Sequence, residues 1–433
     1  MAQTLQEAID EAGSPVRLLW KPSAAPWTPP VIQPEYVGWA EEQAASNDAV
    51  AFSDLSHHMS DLFIEGPDAL RLLSDSSANN YKTFEIGQAK QFIAVTARGH
   101  LVSDGILMRD AADRFTLSGA PASQNWVRYH GETGGYSVEI GSDPDSAHRG
   151  VGDPVLCRFQ IQGPHAVALA EKVFGPLPKT KFFHSTAVEL EGRQYRAFRH
   201  GMTAQPGYEF IGAGADGAFL KESLLGAGEE FGIVHVGGLA YSTNGIESGW
   251  IPTQPPGIYT SPELGGYRSW LSRDSYEGRK PLSGSFLSED IEAYYCTPYE
   301  LGYGRSISFN HDFIGRDALQ EKREDVRRTK VTLVLEDDRP GFFVDYGRHR
   351  IEADGALVGT TCHIGSIAPA GGPLALALVA NEHAEPGTSV TVVWGEHPGP
   401  GASVDEGAYT RVSATVQPSP YNEFARTQYR KDT

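Results

Sequence analysis

Three side chains that could do acid–base or binding chemistry fall within ten positions near the middle of the chain. Residues 232–250 contain Tyr241, Glu247 and Trp250, so a phenol, a carboxylate and an indole could share one pocket wall. Glycines at 237, 238, 245 and 249 let the backbone turn tightly or approach a ligand closely. We therefore expect a strand followed by a small-residue turn here, rather than a packed helix. A core hairpin with an aromatic plug explains the same residues equally well.

Four more candidates are polar residues in apolar surroundings. Glu209 lies inside an apolar strand, where burial of a carboxylate is costly unless it pairs with an internal arginine or with a ligand offering two N–H donors. The internal salt bridge is favoured on sequence alone. Asp104 lies at a turn between apolar strand residues, and it either forms the turn or lines a cavity.

The adjacent His57 and His58 are the other two candidates. On a strand, neighbouring side chains point to opposite faces, so only one of them can face a given pocket. That histidine either contacts a substrate or is a satisfied core residue. No metal-ligand motif completes a site around it, so we predict no metal. Residues 212–217 match GxGxxG, but Asp216 stands where a pyrophosphate would lie, so we predict no dinucleotide site.

Composition limits the classes of partner. The 433 residues include 36 basic and 55 acidic side chains, for a net charge of −19. This charge argues against nucleic acid or an anionic membrane surface as a partner. The three cysteines are too scattered for a disulfide framework, and no signal peptide or membrane-spanning run is evident. We therefore expect a cytoplasmic protein that binds a small molecule, with its oligomeric state left open.

The elements that must position these residues follow a repeated pattern. A strand leads through Gly-Pro into a helix at residues 62–70 and again at 159–167, and a fainter third copy follows at 312–319. Such copies indicate related α+β modules with antiparallel sheets. From about residue 329 the pattern changes to short β runs with turn signals such as Asp354-Gly355. We therefore predict an N-terminal helix and extended segment at 1–45, two modules at 46–325 and a β domain at 326–433.

Several long stretches resemble the tetrahydrofolate-dependent aminomethyltransferase family, which includes the T-protein of glycine cleavage. They are Asp54-Leu-Ser-His-His-Met, Arg199-His-Gly-Met-Thr-Ala-Gln-Pro-Gly-Tyr-Glu, and residues 302–319. Within that family the chain is most similar to bacterial aryl O-demethylases, through residues 101–106, Arg158-Phe-Gln-Ile-Gln-Gly-Pro and Glu247-Ser-Gly-Trp-Ile-Pro. The resemblance implies a T-protein-like α+β fold. Two ferredoxin-like antiparallel modules would surround a central folate channel, followed by a C-terminal β-barrel or jelly roll.

The resemblance also implies roles for individual residues. Tyr241 would be the catalytic acid, with His58 orienting the substrate and Asp104 acting in polarisation or proton relay. Positions expected to hold tetrahydrofolate are Gln160, Glu209, Glu247 and Trp250. Positions expected to contact the aromatic substrate are Trp27, Leu55, His57, Gly119 and Leu239.

Three positions depart from the demethylase pattern. Gly119 and Leu239 stand where those enzymes have arginines, and Leu55 stands where they have a glutamine. A carboxylate left without its cation in a dry pocket would cost several kcal/mol. The sequence therefore predicts a neutral aromatic ether. Our leading hypothesis is an enzyme that opens a methylenedioxy ring of a sesamin-like lignan to a catechol, forming 5,10-methylene-tetrahydrofolate.

Two alternatives remain at this stage. The first is an aryl O-demethylase that acts on a methoxy-aromatic such as vanillate or syringate and forms 5-methyl-tetrahydrofolate. The second belongs to another class, a folate-binding protein without transferase activity. Relatives of that kind carry a Lys-Gly-Cys-Tyr-x-Gly-Gln-Glu motif, which this sequence lacks.

Overall fold

The computed structural model describes residues 3–21, 31–150, 152–252, 254–337, 339 and 341–431, and these form three sheets with helices packed against them. The helices are α1 Leu5–Ala12, α2 Pro15–Leu19, α3 Trp39–Asp48, α4 Ala69–Asp75, α5 Pro121–Thr133, α6 Ser146–Arg149, α7 Ala166–Phe174, α8 Gly217–Gly228, α9 Gly238–Ser248, α10 Gly265–Trp270, α11 Tyr276–Arg279, α12 Arg316–Lys322 and α13 Glu423–Thr427. The strands before the last domain are β1 Val50–Asp54, β2 Asp61–Glu65, β3 Ala89–Val95, β4 Leu101–Arg109, β5 Arg114–Gly119, β6 Glu139–Asp143, β7 Leu156–Gln162, β8 Ser185–Leu190, β9 Arg193–Phe198, β10 Gly207–Ala213 and β11 Ile233–His235. The last strands are β12 Arg328–Leu335, β13 Val344–Asp345, β14 Arg350–Ala353, β15 Ala356–Ile367, β16 Gly372–Ala380, β17 Ser389–Trp394 and β18 Thr410–Gln417.

The first α+β module is a five-stranded antiparallel sheet in the order β3-β4-β5-β2-β6. In β2, the fully buried Leu62 and Ile64 alternate with the more exposed Phe63 and Glu65, so one face of this strand meets the core. Helices α4 and α5 pack on each other within this module.

The second module has a six-stranded sheet in the order β11-β1-β7-β10-β9-β8. Its strands pair antiparallel except β1 with β11, which are parallel. Strand β1 precedes the whole first module in the chain, yet it pairs with β7 of the second. The two modules are therefore interlocked by sequence order and cannot be separated by one cut between them.

The repeated strand–Gly–Pro–helix pattern proves to be a repeated structure. Gly66 follows β2 and Gly163 follows β7, and both have φ of 137°, a conformation that favours glycine. A Cβ at Gly66 would run into the backbone of Ser137 just before β6, and one at Gly163 into that of Ala49 just before β1. The second sheet thus uses β1 where the first uses β6. The predicted pair of related α+β modules is confirmed.

The prediction of a third strand–turn–helix copy is wrong. Gly315 does precede helix α12, but no strand precedes it in this part of the described chain. The backbone amide of Ser308 instead donates to Ala78 O, and that of Ile314 donates to Asp75 O. Because these amides bond to the segment around the end of α4, residues 308–314 are not available to extend a sheet.

The C-terminal domain is a closed barrel of six strands, in the ring β15-β14-β17-β18-β12-β16 with β16 pairing back to β15. The short β13 adds to β15 outside the ring. The predicted hairpin turn is present, because Asp354 and Gly355 have φ of 50° and 79° between β14 and β15. Of the two predicted architectures for this domain, the structure has the barrel.

The expected strand and turn at 232–250 is partly wrong. Residues 233–235 do form β11, but Gly238–Ser248 is the helix α9. Gly237 is its N-cap, and Gly249 ends it with φ of 70°, so these two glycines bound the helix. Gly245 permits close packing inside it, since a Cβ there would lie 2.9 Å from Trp250 O. Tertiary contact thus overrides the poor helix propensity of glycine.

The N-terminal segment helps to hold the beginning of α9. The buried carboxylate of Glu42 on α3 accepts hydrogen bonds from the amides of Val37 (3.0 Å) and Gly237 (2.8 Å). Tyr36 stacks on His235 at 3.7 Å between ring centroids. Helix α3 spans residue 45, where we predicted the first domain boundary, and packs on β1 and α9. Across the described ranges, no helix is long and apolar enough to cross a membrane.

Candidate active site

A cavity of about 1780 Å³ lies where the two modules, α9 and the barrel meet. The C-terminal segment also lines it, because Tyr429 donates to Gly201 O (3.0 Å) and Arg199 donates to the carbonyl of Lys431 (2.7 Å). Typical sites for drug-sized ligands have volumes of about 300–1,000 Å³. The cavity is therefore large enough for two ligands side by side.

The rings of His58 and Tyr241 are in contact in the wall of this cavity. Their ring centroids are 4.1 Å apart and the ring planes are inclined by 55°. His58 lies in a turn rather than a strand, because Ser56 N donates to Asp54 Oδ1 (3.2 Å) and folds residues 55–59 over the end of β1. Its Nε2 is buried and has no hydrogen-bond partner among the described residues. A ligand atom could therefore satisfy it.

Both rings are held in their neutral forms. Burial lowers the pKa of His58 to about 3, with a smaller opposing effect from Asp54. Burial and the nearby carboxylate of Glu209 raise the pKa of Tyr241 well above the ordinary value for a phenol. At neutral pH the pair therefore consists of a neutral imidazole and a phenol that keeps its proton.

A buried arginine joins the two modules beside this pair. From β7, Arg158 donates through Nη1 to Glu209 Oε1 on β10 (2.9 Å) and through Nη2 to Asp61 Oδ1 on β2 (2.9 Å). Nη2 also donates to Ser118 Oγ (2.9 Å) on β5. The predicted salt bridge of Glu209 is thus confirmed, and its partner spans both sheets. Sequence analysis did not identify Arg158, although a charged residue inside an apolar strand was the same signal that identified Glu209.

The Arg158 bridge occupies only one oxygen of Glu209. Its other carboxylate oxygen has no hydrogen-bond partner among the described residues, and Glu209 lines the cavity. Gln160 pairs with Glu209 across β7 and β10, and its Nε2 is buried without a partner in the described part of the chain. The free oxygen of Glu209 could accept hydrogen bonds from N–H groups of a polar heterocycle in the cavity, whereas Gln160 lines a separate small void.

The prediction that Asp104 lies at a turn is wrong, because it lies inside strand β4. It accepts hydrogen bonds from residues of the cavity wall but does not itself line the cavity. Its Oδ2 accepts hydrogen bonds from Trp250 Nε1 (2.9 Å), from Tyr303 OH (2.8 Å) and from Gln91 Nε2. Burial raises the pKa of Asp104, and these three donors oppose that effect. Asp104 therefore fixes the orientation of an indole and a phenol that do face the cavity.

The remaining predicted residues divide into two groups. Leu55 and Gly119 line the cavity with His58 and Tyr241. Gly119 has φ of 147°, so a side chain there would be strained. Four other predicted residues do not line this cavity: His57, Gln160, Leu239 and Glu247. His57 instead forms a hydrogen bond between its Nδ1 and Ser146 Oγ (2.8 Å). Gln160 lines a separate small void, and Trp27 lies outside the described residues.

Glu247 lies on α9, six positions after Tyr241, but only Tyr241 lines the cavity. The Oε2 of Glu247 is buried and has no partner within the described ranges, and burial raises its pKa to about 8. A carboxyl group in this setting is largely protonated at neutral pH. Its position gives no support to the predicted contact with a cofactor.

Two cations at another part of the cavity wall also escaped sequence analysis. Lys280 follows α11 and Arg348 precedes β14, and both are buried and line the cavity. Arg348 donates to Thr361 O and to Gln254 Oε1, each at 3.2 Å. No local pattern distinguishes these residues, because only the packing of the barrel and α11 on the first module brings them to this wall. No cluster of three metal-ligating residues occurs among the residues described.

Comparison with known proteins gives consistent results. The family model described as the GCVT N-terminal domain matches residues 23–254. The chain is 36% identical over 454 residues to a syringate O-demethylase from Sphingobium sp., covering 99% of this chain and 98% of that protein. It is 28% identical to a sesamin methylene transferase from Sinomonas sp., covering 90% of each. The crystal structure of a glycine cleavage system aminomethyltransferase T from Bartonella henselae matches with a TM-score of 0.66 and 19% identity, covering 96% of each chain.

Proposed function

The chain belongs to the GCVT aminomethyltransferase family, and we propose that it transfers the methyl group of an aromatic methyl ether to tetrahydrofolate. The observation that carries this proposal is the contact of His58 with Tyr241 inside a cavity that also contains Glu209. Full-length similarity to a syringate O-demethylase supports methyl transfer over the methylene transfer that the sequence first suggested.

The cavity suits tetrahydrofolate in size and in its polar atoms. We assign the pterin to the free oxygen of Glu209, which can accept N–H donors from a ring and its amino group. Trp250, fixed by Asp104, would pack against the bound cofactor as part of the same wall. When bound, tetrahydrofolate supplies the N5 lone pair that accepts the carbon and the proton that restores Tyr241.

Tyr241 does the acid–base work in this proposal. When the bond between the methyl carbon and the aryl oxygen breaks, its electron pair remains on that oxygen. A phenolate is a poor leaving group, so protonation by the Tyr241 hydroxyl lowers the barrier. The raised pKa of Tyr241 keeps the proton on the phenol until the aryl oxygen becomes basic. The neutral His58 donates or accepts a hydrogen bond through its free Nε2. This bond orients the oxygen substituent on the ring carbon next to the ether.

A second candidate is cleavage of a methylenedioxy ring. It is favoured by Gly119, which has no side chain where the demethylase pattern has an arginine and whose φ of 147° would strain one. The 28% identity to a sesamin methylene transferase also supports this second candidate. This candidate needs a neutral pocket, whereas the buried Lys280 and Arg348 give the cavity wall positive charge. We therefore place it second.

The test is an anaerobic incubation of the protein with tetrahydrofolate and either syringate or sesamin, with both products identified by mass. We expect demethylated syringate together with 5-methyl-tetrahydrofolate. A catechol from sesamin with 5,10-methylene-tetrahydrofolate would establish the second candidate instead. Tight folate binding without product from any aromatic ether would indicate a folate-binding protein.

A further inference from the structure

Lys280 is a buried cation without a counter-ion. Its side chain lines the cavity although the residue is only 8% exposed. Among the described residues, no hydrogen-bond or salt-bridge partner reaches its Nζ. The Nζ lies over the Tyr276 ring, 5.6 Å from the ring centroid. An ammonium group without a partner is costly to bury. A ligand anion would offset that cost.

The electrostatic surroundings of Lys280 agree with this geometry. Burial, with a smaller contribution from the like charge of Arg348, lowers the pKa of Lys280 to about 7. No carboxylate contributes to that shift. The partly buried Lys330 of the cavity wall differs, because its Nζ donates to Gly249 O (2.5 Å). Lys280 is therefore the lysine left for a ligand.

Helix α5 connects this lysine to the reaction centre. Gln124 on α5 donates to Ser60 O (2.6 Å), next to the turn that carries His58. The adjacent Asn125 donates to both carboxylate oxygens of Glu277 on α11 (3.2 and 3.0 Å), three residues before Lys280. Two neighbouring residues of one helix thus link the chain just after the histidine turn to the segment that carries the lysine. The same helix begins just after Gly119, where the arginine of the demethylase pattern is missing.

We propose that Lys280 binds the carboxylate of a methoxybenzoate substrate and so replaces the arginine absent at Gly119. The inference rests on the proposed function and specifies its substrate class as a carboxylated rather than a neutral aromatic ether. An ammonium group contributes one strong charge-assisted hydrogen bond to a carboxylate. The carboxylate in turn restores the charge of a lysine that burial discourages from ionising.

The experiment compares two ligands that differ only in the carboxylate, syringate and 2,6-dimethoxyphenol. Their binding to the wild-type protein and to Lys280→Met is measured by calorimetry without folate, followed by KM and kcat at saturating tetrahydrofolate. We expect the Kd and KM of syringate to rise about 100-fold in the variant. The values for 2,6-dimethoxyphenol, kcat at saturation and the KM for tetrahydrofolate should change less than about threefold.

Two more variants make the comparison specific. Lys280→Arg keeps a cation and should recover much of the affinity for syringate. Lys330→Met removes a partly buried lysine of the same cavity wall, and its effect should be the same for the two aromatics. Thermal unfolding of each variant checks that it is folded, and Lys280→Met should be at least as stable as the wild type because it removes an unpaired buried charge.

The outcomes separate this inference from the proposed function. If wild-type protein binds syringate more tightly than 2,6-dimethoxyphenol but converts neither, the proposed methyl transfer fails, and the binding data still decide the role of Lys280. Equal weakening of both aromatics in Lys280→Met would overturn the inference. So would a rise only in the KM for tetrahydrofolate, which would assign Lys280 to a carboxylate of the cofactor instead.

Discussion

The imidazole of His58 lies 4.1 Å from the phenol ring of Tyr241, between centroids, although 183 residues separate the two in the chain. One comes from a turn at the end of β1 and the other from α9. Because β1 is built into the sheet of the second module and pairs with β11, the strand that leads into α9, the two side chains meet through a parallel strand pair. In the proposed mechanism, the chemistry occurs at this contact.

Replacement of Tyr241 by Phe should lower kcat at least 100-fold, since a positioned general acid contributes a factor of about 10²–10⁴. Affinity for tetrahydrofolate should remain within about twofold, because the ring and its packing are kept. Single-turnover rates and folate titration measure the two effects. The matched control is Tyr346→Phe in the same cavity, whose hydroxyl donates to Ser242 O (3.3 Å) and should be dispensable for the chemical step. Residual activity above one tenth in Tyr241→Phe would contradict the assignment.

The pH profile of kcat should be flat between roughly pH 5 and pH 9. The pKa of His58 is lowered to about 3, so the imidazole is neutral throughout this range. The pKa of Tyr241 is raised by burial, so its phenol stays protonated. Initial rates at saturating concentrations of both substrates test this. A limb with an apparent pKa near 6.5 that disappears in His58→Gln would show that His58 titrates during turnover.

Replacement of Glu209 by Gln should weaken tetrahydrofolate binding by about 10- to 100-fold, because the cavity loses an anionic acceptor. The matched control is Asp61→Asn. This substitution removes the charge of the other carboxylate that pairs with Arg158, and Asp61 does not line the cavity. Both variants should lose about 1–3 kcal/mol of stability, measured by urea unfolding. Only Glu209→Gln should change the folate Kd. An equal change in both would mean that the effect comes from Arg158 and not from a direct contact.

Replacement of Glu247 by Gln should change the pH dependence of stability. The pKa of Glu247 is about 8 in the folded protein, against an ordinary value of 4.5. Between pH 4.5 and pH 8, the folded protein therefore keeps a proton on Glu247 that the unfolded chain loses. The stabilisation is therefore complete below about pH 4.5 and is lost as pH rises toward 8. Relative to the wild type, the Gln variant should gain on the order of a few kcal/mol across this interval. Urea unfolding at pH 5, 7 and 8.5 measures the gain, with the exposed Glu65→Gln as a control that should show none. The same pH dependence of stability in the wild type and Glu247→Gln would mean that Glu247 ionises freely in the folded protein.

The sequence by itself determined the α+β class, the pair of related modules, the terminal β domain and the salt bridge of Glu209. It could do so because these signals are local. A Gly-Pro turn after a strand, an Asp-Gly hairpin and a carboxylate inside an apolar strand each restrict the structure within a few residues. The salt bridge of Glu209 followed from the cost of burying its charge, before its partner Arg158 was known.

Only the tertiary structure decided which of those residues share a cavity. Residues 238–248 form a helix that packs against α3 and β15, and Gly245 within it lies too close to Trp250 O for a side chain. Those tertiary contacts are not visible in the local sequence. The missing arginine at Gly119 suggested a neutral substrate, but the end of α11 brings Lys280 to the cavity from 161 positions further along the chain. The charge of a pocket is the sum over all segments that meet there. One position in the sequence could therefore show the loss of a cation, while its replacement became visible only once the chain was folded.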